Sequence, residues 1–279
     1  MKRNHIVKLL AAVGVTAVLA CALGGCGAVS STSSSSSDNV IKIGASPSPH
    51  AEILQQVKDQ LAQEGYDLQI VEYSDYVQPN QALSQGELDA NYFQHKPYLD
   101  NYNSQNGTDL VSAAAIHFEP MGVYAGKSSD LQNIPDGARI AVPSDATNEA
   151  RALQLLQSEG VFTLKDGVGL NATKNDIVSN PHNVQVVESE AASLPRMIQD
   201  VDFAVINGNY ALSGGLDTDK TLASESADSE AAQTYANIIA VQSSDASSDK
   251  INALVNALKS DTVRSFIESN YHGTVVPVF

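Results

Sequence analysis

The stretch VIKIGASPSPHAEILQQVKDQLAQEG, Val40 to Gly65, decides the architecture. Val40-Ile41-Lys42-Ile43-Gly44 is a short β-branched run, the composition that fits a buried strand. A helix is predicted directly after it, with Ser48 as N-cap, Pro49 at the first helical position and Glu52 in the first turn. Ile53, Leu54, Val57 and Leu61 recur at helical spacing and mark its buried stripe, and Gly65 ends it. This strand-to-helix step repeats. Asp67 to Tyr73 reads as a strand, Pro79 to Gln85 as a short helix, Leu88 to Phe93 as a strand, Pro97 to Gln105 as a helix and Leu110 to Phe118 as a strand.

A second series starts at Ala138-Arg139-Ile140-Ala141-Val142 and runs through a helix from Ala146 to Glu159 to strands near Val184 to Val187 and Phe203 to Ile206. Tyr235 to Val241, with helices around Ile251 to Leu258 and Asp261 to Ser269, reads as a return to the first series. Alternation of this kind makes parallel sheets covered by helices, an α/β fold. Linking stretches near Glu119 to Lys127 and Glu230 to Val241 join the two series twice. The expected organisation is one lobe from 40–120 plus 240–279 and a second from 121–239. Ligands bind at the carboxyl ends of strands in open α/β sheets, so a cleft between the lobes is the expected site, and double connections make natural hinges.

Upstream, Lys2, Arg3 and Lys8 precede an uncharged, mostly apolar run from Leu9 to Ala20, the pattern of an export signal over 1–25. Leu23-Gly24-Gly25-Cys26 resembles the bacterial lipobox, which implies cleavage before Cys26 and a lipid on its thiol. Val18-Leu19-Ala20-Cys21 is a poorer match because of its larger Leu19. The other reading is a retained membrane anchor, with the uncharged stretch continuing to Val29. Residues 26–39, with Ser33 to Ser37 unbroken, read as a flexible leash.

A mature chain starting at Cys26 has one cysteine and no internal disulfide, although an exported protein reaches a compartment that permits them. Without Lys2, Arg3 and Lys8, the 16 basic residues fall to 13 against 32 acidic ones, a net of −19 before histidine. That surface repels nucleic acid and anionic lipid. About 240 residues remain, enough for one large or two smaller domains.

The segments GASPSPHAEIL (Gly44 to Leu54), YVQPNQALSQGELDANYFQHKPYLD (Tyr76 to Asp100), VPSDATNEARALQLLQ (Val142 to Gln157), LKDGVGLNAT (Leu164 to Thr173) and AVINGNYA (Ala204 to Ala211) closely resemble the NlpA/MetQ family. The resemblance runs from Val40 to the end of the chain. It implies a periplasmic-binding-protein-like fold of two α/β lobes, methionine in the cleft, and delivery to an ABC permease with a cytoplasmic ATPase. It also implies attachment to the outer face of the cell membrane through the lipid, and neither a cofactor nor an enzymatic role.

A free amino acid needs an anion site, acceptors for its ammonium and an apolar slot. Arg151 is the carboxylate candidate, in the second turn of the helix after Asp145, with Thr147 and Asn148 on the same face. Helix-start N–H groups and a bidentate guanidinium favour a carboxylate there; the bland reading is a surface arginine. Glu119 and Asn207 are candidate ammonium acceptors, or else a solvated loop carboxylate and a turn-forming asparagine. A thioether packs well on aromatic rings, so Tyr73, Tyr76, Tyr92, Phe93 and Tyr124 are candidates for the slot. Tyr92 and Phe93 are neighbours on a strand, so one of them belongs to the core. His95 either bonds ligand or caps the next helix.

Rival constellations are weaker. Gly167-Val168-Gly169-Leu170-Asn171-Ala172 fits the dinucleotide fingerprint but lacks a firm strand before it, and a turn is the natural reading. Gly44-Ala45-Ser46-Pro47-Ser48 misses a nucleophile elbow at its last position. His50, His95, His117, His182 and His272 are scattered, without a close ligand pair; a metal receptor would need distant residues to converge. A structural or adhesive surface lipoprotein is the remaining alternative.

Overall fold

In the computed structural model, which describes residues 39–279, the β-branched run is β1 (Val40–Ala45). Ser48 is extended at φ −128°, ψ 138°, and the helical path begins after it, without a side-chain cap. The expected single helix is two: α1 (Glu52–Gln55) and α2 (Lys58–Gln63), interrupted at Val57 with φ −103°, ψ −2°. Ile53, Leu54, Val57 and Leu61 are all buried in one core cluster, as their spacing requires. Gly65, at φ +93°, turns the chain into β2 (Asp67–Glu72), a conformation that glycine adopts without strain. There follow α3 (Gln78–Ser84), β3 (Ala90–His95), α4 (Lys96–Asn106) and β4 (Val111–Phe118).

The chain then enters the second lobe. Its elements are β5 (Gly122–Ala125), β6 (Arg139–Pro143), α5 (Ala146–Ser158), β7 (Thr163–Leu164), β8 (Ile177–Ser179), β9 (Gln185–Ser189), α6 (Leu194–Met197), β10 (Phe203–Ile206), α7 (Gly208–Ser213) and β11 (Ala223–Ser224). After α8 (Glu230–Thr234) the chain returns through β12 (Asn237–Val241), α9 (Asp249–Leu258), α10 (Asp261–Tyr271) and β13 (Val276–Pro277). The six-stranded sheet of the first lobe has the order β13-β4-β12-β3-β1-β2, and the five-stranded sheet of the second is β11-β5-β10-β6-β9. The return strand starts at Asn237, ahead of the expected boundary at 240, because the whole of β12 pairs within the first sheet.

Neither sheet is purely parallel, contrary to the alternation argument. β1 runs parallel to β2 and β3, and β6 to β9 and β10, but β12 is antiparallel to both β3 and β4, and β5 to β10. The crossovers are the cause. A strand entering from the other lobe starts at the cleft, where its neighbours end, and so must run against them. Asn237, first in β12, therefore stands between His95 and His117 at the ends of β3 and β4. That row is the cleft edge of the first sheet.

Each lobe has its own core. Ile41, Ile43, Leu68, Ile251, Leu254 and Ile267 pack with the α1–α2 stripe in the first, and Ile140, Val142, Leu153, Leu156, Phe203 and Val205 pack in the second. The dinucleotide-like run at Gly167 is a turn between β7 and β8, with Gly167 and Gly169 at positive φ and only a single helical turn, Gly169–Asn171. Among the described residues no helix is long and apolar enough to cross a membrane. The export signal, Cys26 and the serine run lie outside the described residues.

Candidate ligand-binding site

The strand ends facing the cleft carry the site. From the first lobe come Phe93, Gln94 and His95 at the end of β3, Asn237 at the start of β12, and Tyr76 and Tyr98 flanking α3 and opening α4. From the second come Asn148 and Arg151 of α5 and Asn207, Gly208 and Asn209 at the start of α7, with Glu119 on the first crossover. These residues line one cavity in the cleft. Its apolar end is aromatic: Tyr76 lies 5.7 Å from Phe93, 5.9 Å from Tyr98 and 4.8 Å from Tyr210 between ring centroids.

Of the expected site residues, Tyr76, Phe93, His95, Glu119, Asn148, Arg151 and Asn207 meet around this cavity, whereas Tyr73, Tyr92 and Tyr124 do not line it. Tyr92 points from the opposite face of β3 into the first core, where its hydroxyl meets His117 Nδ1. Tyr124 packs with Ala204 and Leu194 behind the second sheet, and Tyr73 packs near Leu88 at the edge of the first lobe. Tyr98, Gln94, Asn209 and Asn237 were not singled out from sequence. Tyr98 and Asn209 lie within the family-like segments, close to residues that were chosen; Asn237 had no local signal at all.

His95 takes the capping role and lines the cavity as well. Its Nδ1 accepts from the Tyr98 backbone N–H at 3.2 Å, capping α4, and its Nε2 donates to Asn148 Oδ1 at 3.2 Å. Burial, with Arg151 nearby, lowers its pKa to about 3, so the ring is neutral at pH 7. Asn148 Oδ1 also accepts from Asn207 Nδ2 at 2.8 Å, while Asn148 Nδ2 donates to Asp145. Asp145 caps α5 by accepting from the Asn148 N–H at 3.0 Å. The helix-start amide expected to greet a ligand carboxylate is thus already engaged.

Arg151 is buried, and its fork belongs to Glu225: Nε donates to Oε1 at 2.8 Å and Nη2 to Oε2 at 2.6 Å. Nη2 also donates to the Glu119 carbonyl at 2.8 Å, and the Tyr235 ring lies 4.3 Å from Cζ. The Nε and Nη2 edge that would grip a ligand carboxylate bidentately is thus taken by Glu225, a residue distant in sequence, and among the described residues Nη1 has no hydrogen-bond acceptor.

Glu119 is buried at the hinge. His117 Nε2 donates to its Oε1 at 2.7 Å, and His50 Nε2 lies 3.4 Å from the same oxygen and donates to Asn237 Oδ1 at 2.9 Å. Burial raises the Glu119 pKa, opposed by His50, the Asn209 backbone N–H and Arg151. Gly208 permits this approach, since a Cβ there would stand 2.8 Å from Glu119 Cβ and 2.9 Å from its Oε2. The buried Asn207 Oδ1 and Asn209 Nδ2 have no hydrogen-bond partner, one an acceptor and the other a donor at the cavity wall. His50, His117 and Glu119 are also the one group among the described residues that could hold a metal ion, so distant histidines do converge.

Two α/β lobes, two crossovers and a cleft cavity with an aromatic end and a polar end define a solute-binding receptor. The NlpA lipoprotein family model matches residues 41–279, and the chain belongs to that family. It is 39% identical to the D-methionine-binding lipoprotein MetQ of Salmonella typhimurium over 96% of this chain and 97% of that one. It is 38% identical to the methionine-binding lipoprotein MetQ of Bacillus subtilis over 94% and 95%. Among solved structures, a nutrient-binding protein from Burkholderia cenocepacia bound to methionine is 45% identical, with a TM-score of 0.81 over 86% of this chain and 100% of that chain.

Proposed function

We propose that the protein is an extracytoplasmic receptor that captures methionine or a close derivative and delivers it to an ABC permease, tethered to the membrane by a lipid on Cys26. The cavity carries this reading. Its aromatic end, Tyr76, Phe93 and Tyr98, suits a polarisable thioether, and its polar end offers complementary groups for both charges of a free amino acid. Glu119, Asn207 Oδ1 and Asn237 supply acceptors for an ammonium; Arg151 Nη1 supplies a donor for a carboxylate. The names of the MetQ relatives and the methionine-bound neighbour support the same ligand.

Interlobe bonds support a closure cycle. Tyr76 donates to Asn209 Oδ1 at 2.5 Å, Tyr210 to the Ser74 carbonyl at 3.3 Å, and His95 to Asn148. A ligand bridging the lobes biases them toward this closed form only through tighter binding to it than to the open one. The chain supplies no catalytic step; ATP is spent by the permease's ATPase.

A metal-receptor reading draws on the His50, His117 and Glu119 group. Against it, both ring nitrogens of His117 are already engaged, Nδ1 by the Tyr92 hydroxyl and Nε2 by Glu119. Calorimetric titration with L-methionine, D-methionine, the sulfoxide, methionine dipeptides and zinc decides between them. Heat with a methionine ligand and none with zinc is the expected result; the reverse sinks the proposal.

A further inference from the structure

Behind the cavity wall lies a buried network formed by Tyr92, His117, Glu119, His50 and Asn237. An ionised carboxylate only accepts, so His117 Nε2 carries the proton and Nδ1 accepts from the Tyr92 hydroxyl. By the same reasoning His50 Nε2–H serves Asn237 Oδ1 and faces Glu119 Oε1. The rings of His50 and His117 pack edge-on to each other, with centroids 4.9 Å apart, and Tyr92 packs edge-on to both. On the Oε2 side the chain passes close by as Gly208, where a side chain would crowd the carboxylate.

Resting on the methionine reading above, we propose that His117 and His50 are positioning residues that hold Glu119 and Asn237 as oriented acceptors, so that the receptor selects ligands with a free protonated amine. Two features make the arrangement selective and not merely structural. Arg151 is already paired with Glu225, so Glu119 lacks a cation of its own until a ligand brings one. The N–H groups of His117 and of the Asn209 backbone also oppose the burial that raises its pKa, and they add no competing charge. An analogue without the amine leaves these acceptors desolvated, with their cavity-side lone pairs unmet, the situation in which polar sites discriminate most strongly. Free amino acids and peptides with methionine first satisfy the wall; N-acylated methionine does not.

The groups that act on Glu119 are His50, His117, Arg151, Tyr76, Tyr92 and Tyr271, from every element around it. Burial lowers the pKa values of His50 to about 4 and His117 to about 3, and the tyrosines are all raised. Glu119, itself raised by burial, therefore governs the acid limb of binding. Removing one N–H donor raises it further and moves that limb to higher pH.

The test compares L-methionine with 4-(methylthio)butanoate, the same acid without the amine, by calorimetry between pH 4 and pH 8, in the full-length protein and in His117→Leu, His117→Gln and His50→Gln. Wild type is expected to prefer methionine at least about a hundredfold. His117→Leu should lose about tenfold or more of that preference and shift the acid limb upward. Glutamine at 117 reaches the same oxygen with an N–H and should recover most of both. Should the leucine variant fail to melt cooperatively, His50→Gln and the wild-type ratio carry the test. Methionine binding without preference over the desamino acid, or an unshifted limb in a folded leucine variant, overturns the inference alone. Absence of methionine binding in wild type overturns the methionine reading with it. Stoichiometric zinc uptake that His117→Leu abolishes would make the histidines ligands, and so also overturns it.

Discussion

Arg151 faces two ways. Its Nε and Nη2 bond Glu225 within the second lobe, and in the proposed receptor Nη1 is the donor for the ligand. Arg151→Ala is therefore expected to weaken methionine binding by about 2–5 kcal/mol, read by calorimetry. It should also lower thermal stability by about 1–3 kcal/mol, because Glu225 is left partly buried with only the Met121 backbone N–H. Unchanged affinity would remove Arg151 from the site. Gly208→Ala works through packing instead. A methyl group 2.8 Å from Glu119 Cβ must displace the carboxylate or the start of α7, so affinity should fall at least about tenfold while the far-ultraviolet spectrum stays native.

At the scale of elements, α5 owes its place to its cap. Asp145 accepts from the Asn148 N–H and from Asn148 Nδ2, so one carboxylate both starts the helix and orients the amide that His95 and Asn207 share. Asp145→Ala is expected to cost about 1 kcal/mol as a lost N-cap, measured by denaturant titration, and to weaken ligand binding in addition. The segment before α3 acts across the cleft. Tyr76→Phe keeps the ring against Phe93 and removes only the bond to Asn209, worth about 0.5–1.5 kcal/mol of closure. Stopped-flow release should be faster, and small-angle scattering should show a larger mean radius without ligand. A release rate equal to wild type would exclude that bond from the closure cycle.

For the whole molecule, burial of neutral histidines sets an acid limit. His50, His95 and His117 have folded pKa values lowered by burial to about 4, about 3 and about 3, against an unfolded value near 6.5. Between these values the unfolded chain binds protons that the folded one refuses, so stability falls as pH falls. Glu119 and Asp145, raised by burial, contribute in the opposite sense, because the folded state takes their protons first. Glu149, also raised by burial, acts in that same sense, but the three histidines refuse protons from pH 6.5 downward, above the ordinary carboxylate range, and the melting temperature should drop from pH 7 to pH 4.5. A flat profile would show that the histidines are not buried neutral. Cys26→Ala should release the exported protein from membranes in fractionation, the corresponding expectation for the tether.

The linear sequence by itself determined which segments become strands and helices, because the β-branched runs, the Ile53–Leu61 stripe and the Asp145 cap are local signals read within a few residues. It also determined which segments face the cleft, since strand ends and crossovers follow from element order; Glu119 and Asn207 were legible on that ground, and Tyr76, Phe93, His95, Asn148 and Arg151 from side-chain chemistry within the family-like segments. Tertiary structure alone decided the rest. Arg151 finds Glu225 and Glu119 finds His50 only after the crossovers fold back, and Asn237 enters the site because β12 runs against its neighbours. Tyr92 and Tyr124 left it because strand alternation and sheet packing assign faces that composition does not distinguish. The physical reason is common to all of these: contacts between residues far apart in the chain depend on backbone direction and register, which no local pattern encodes.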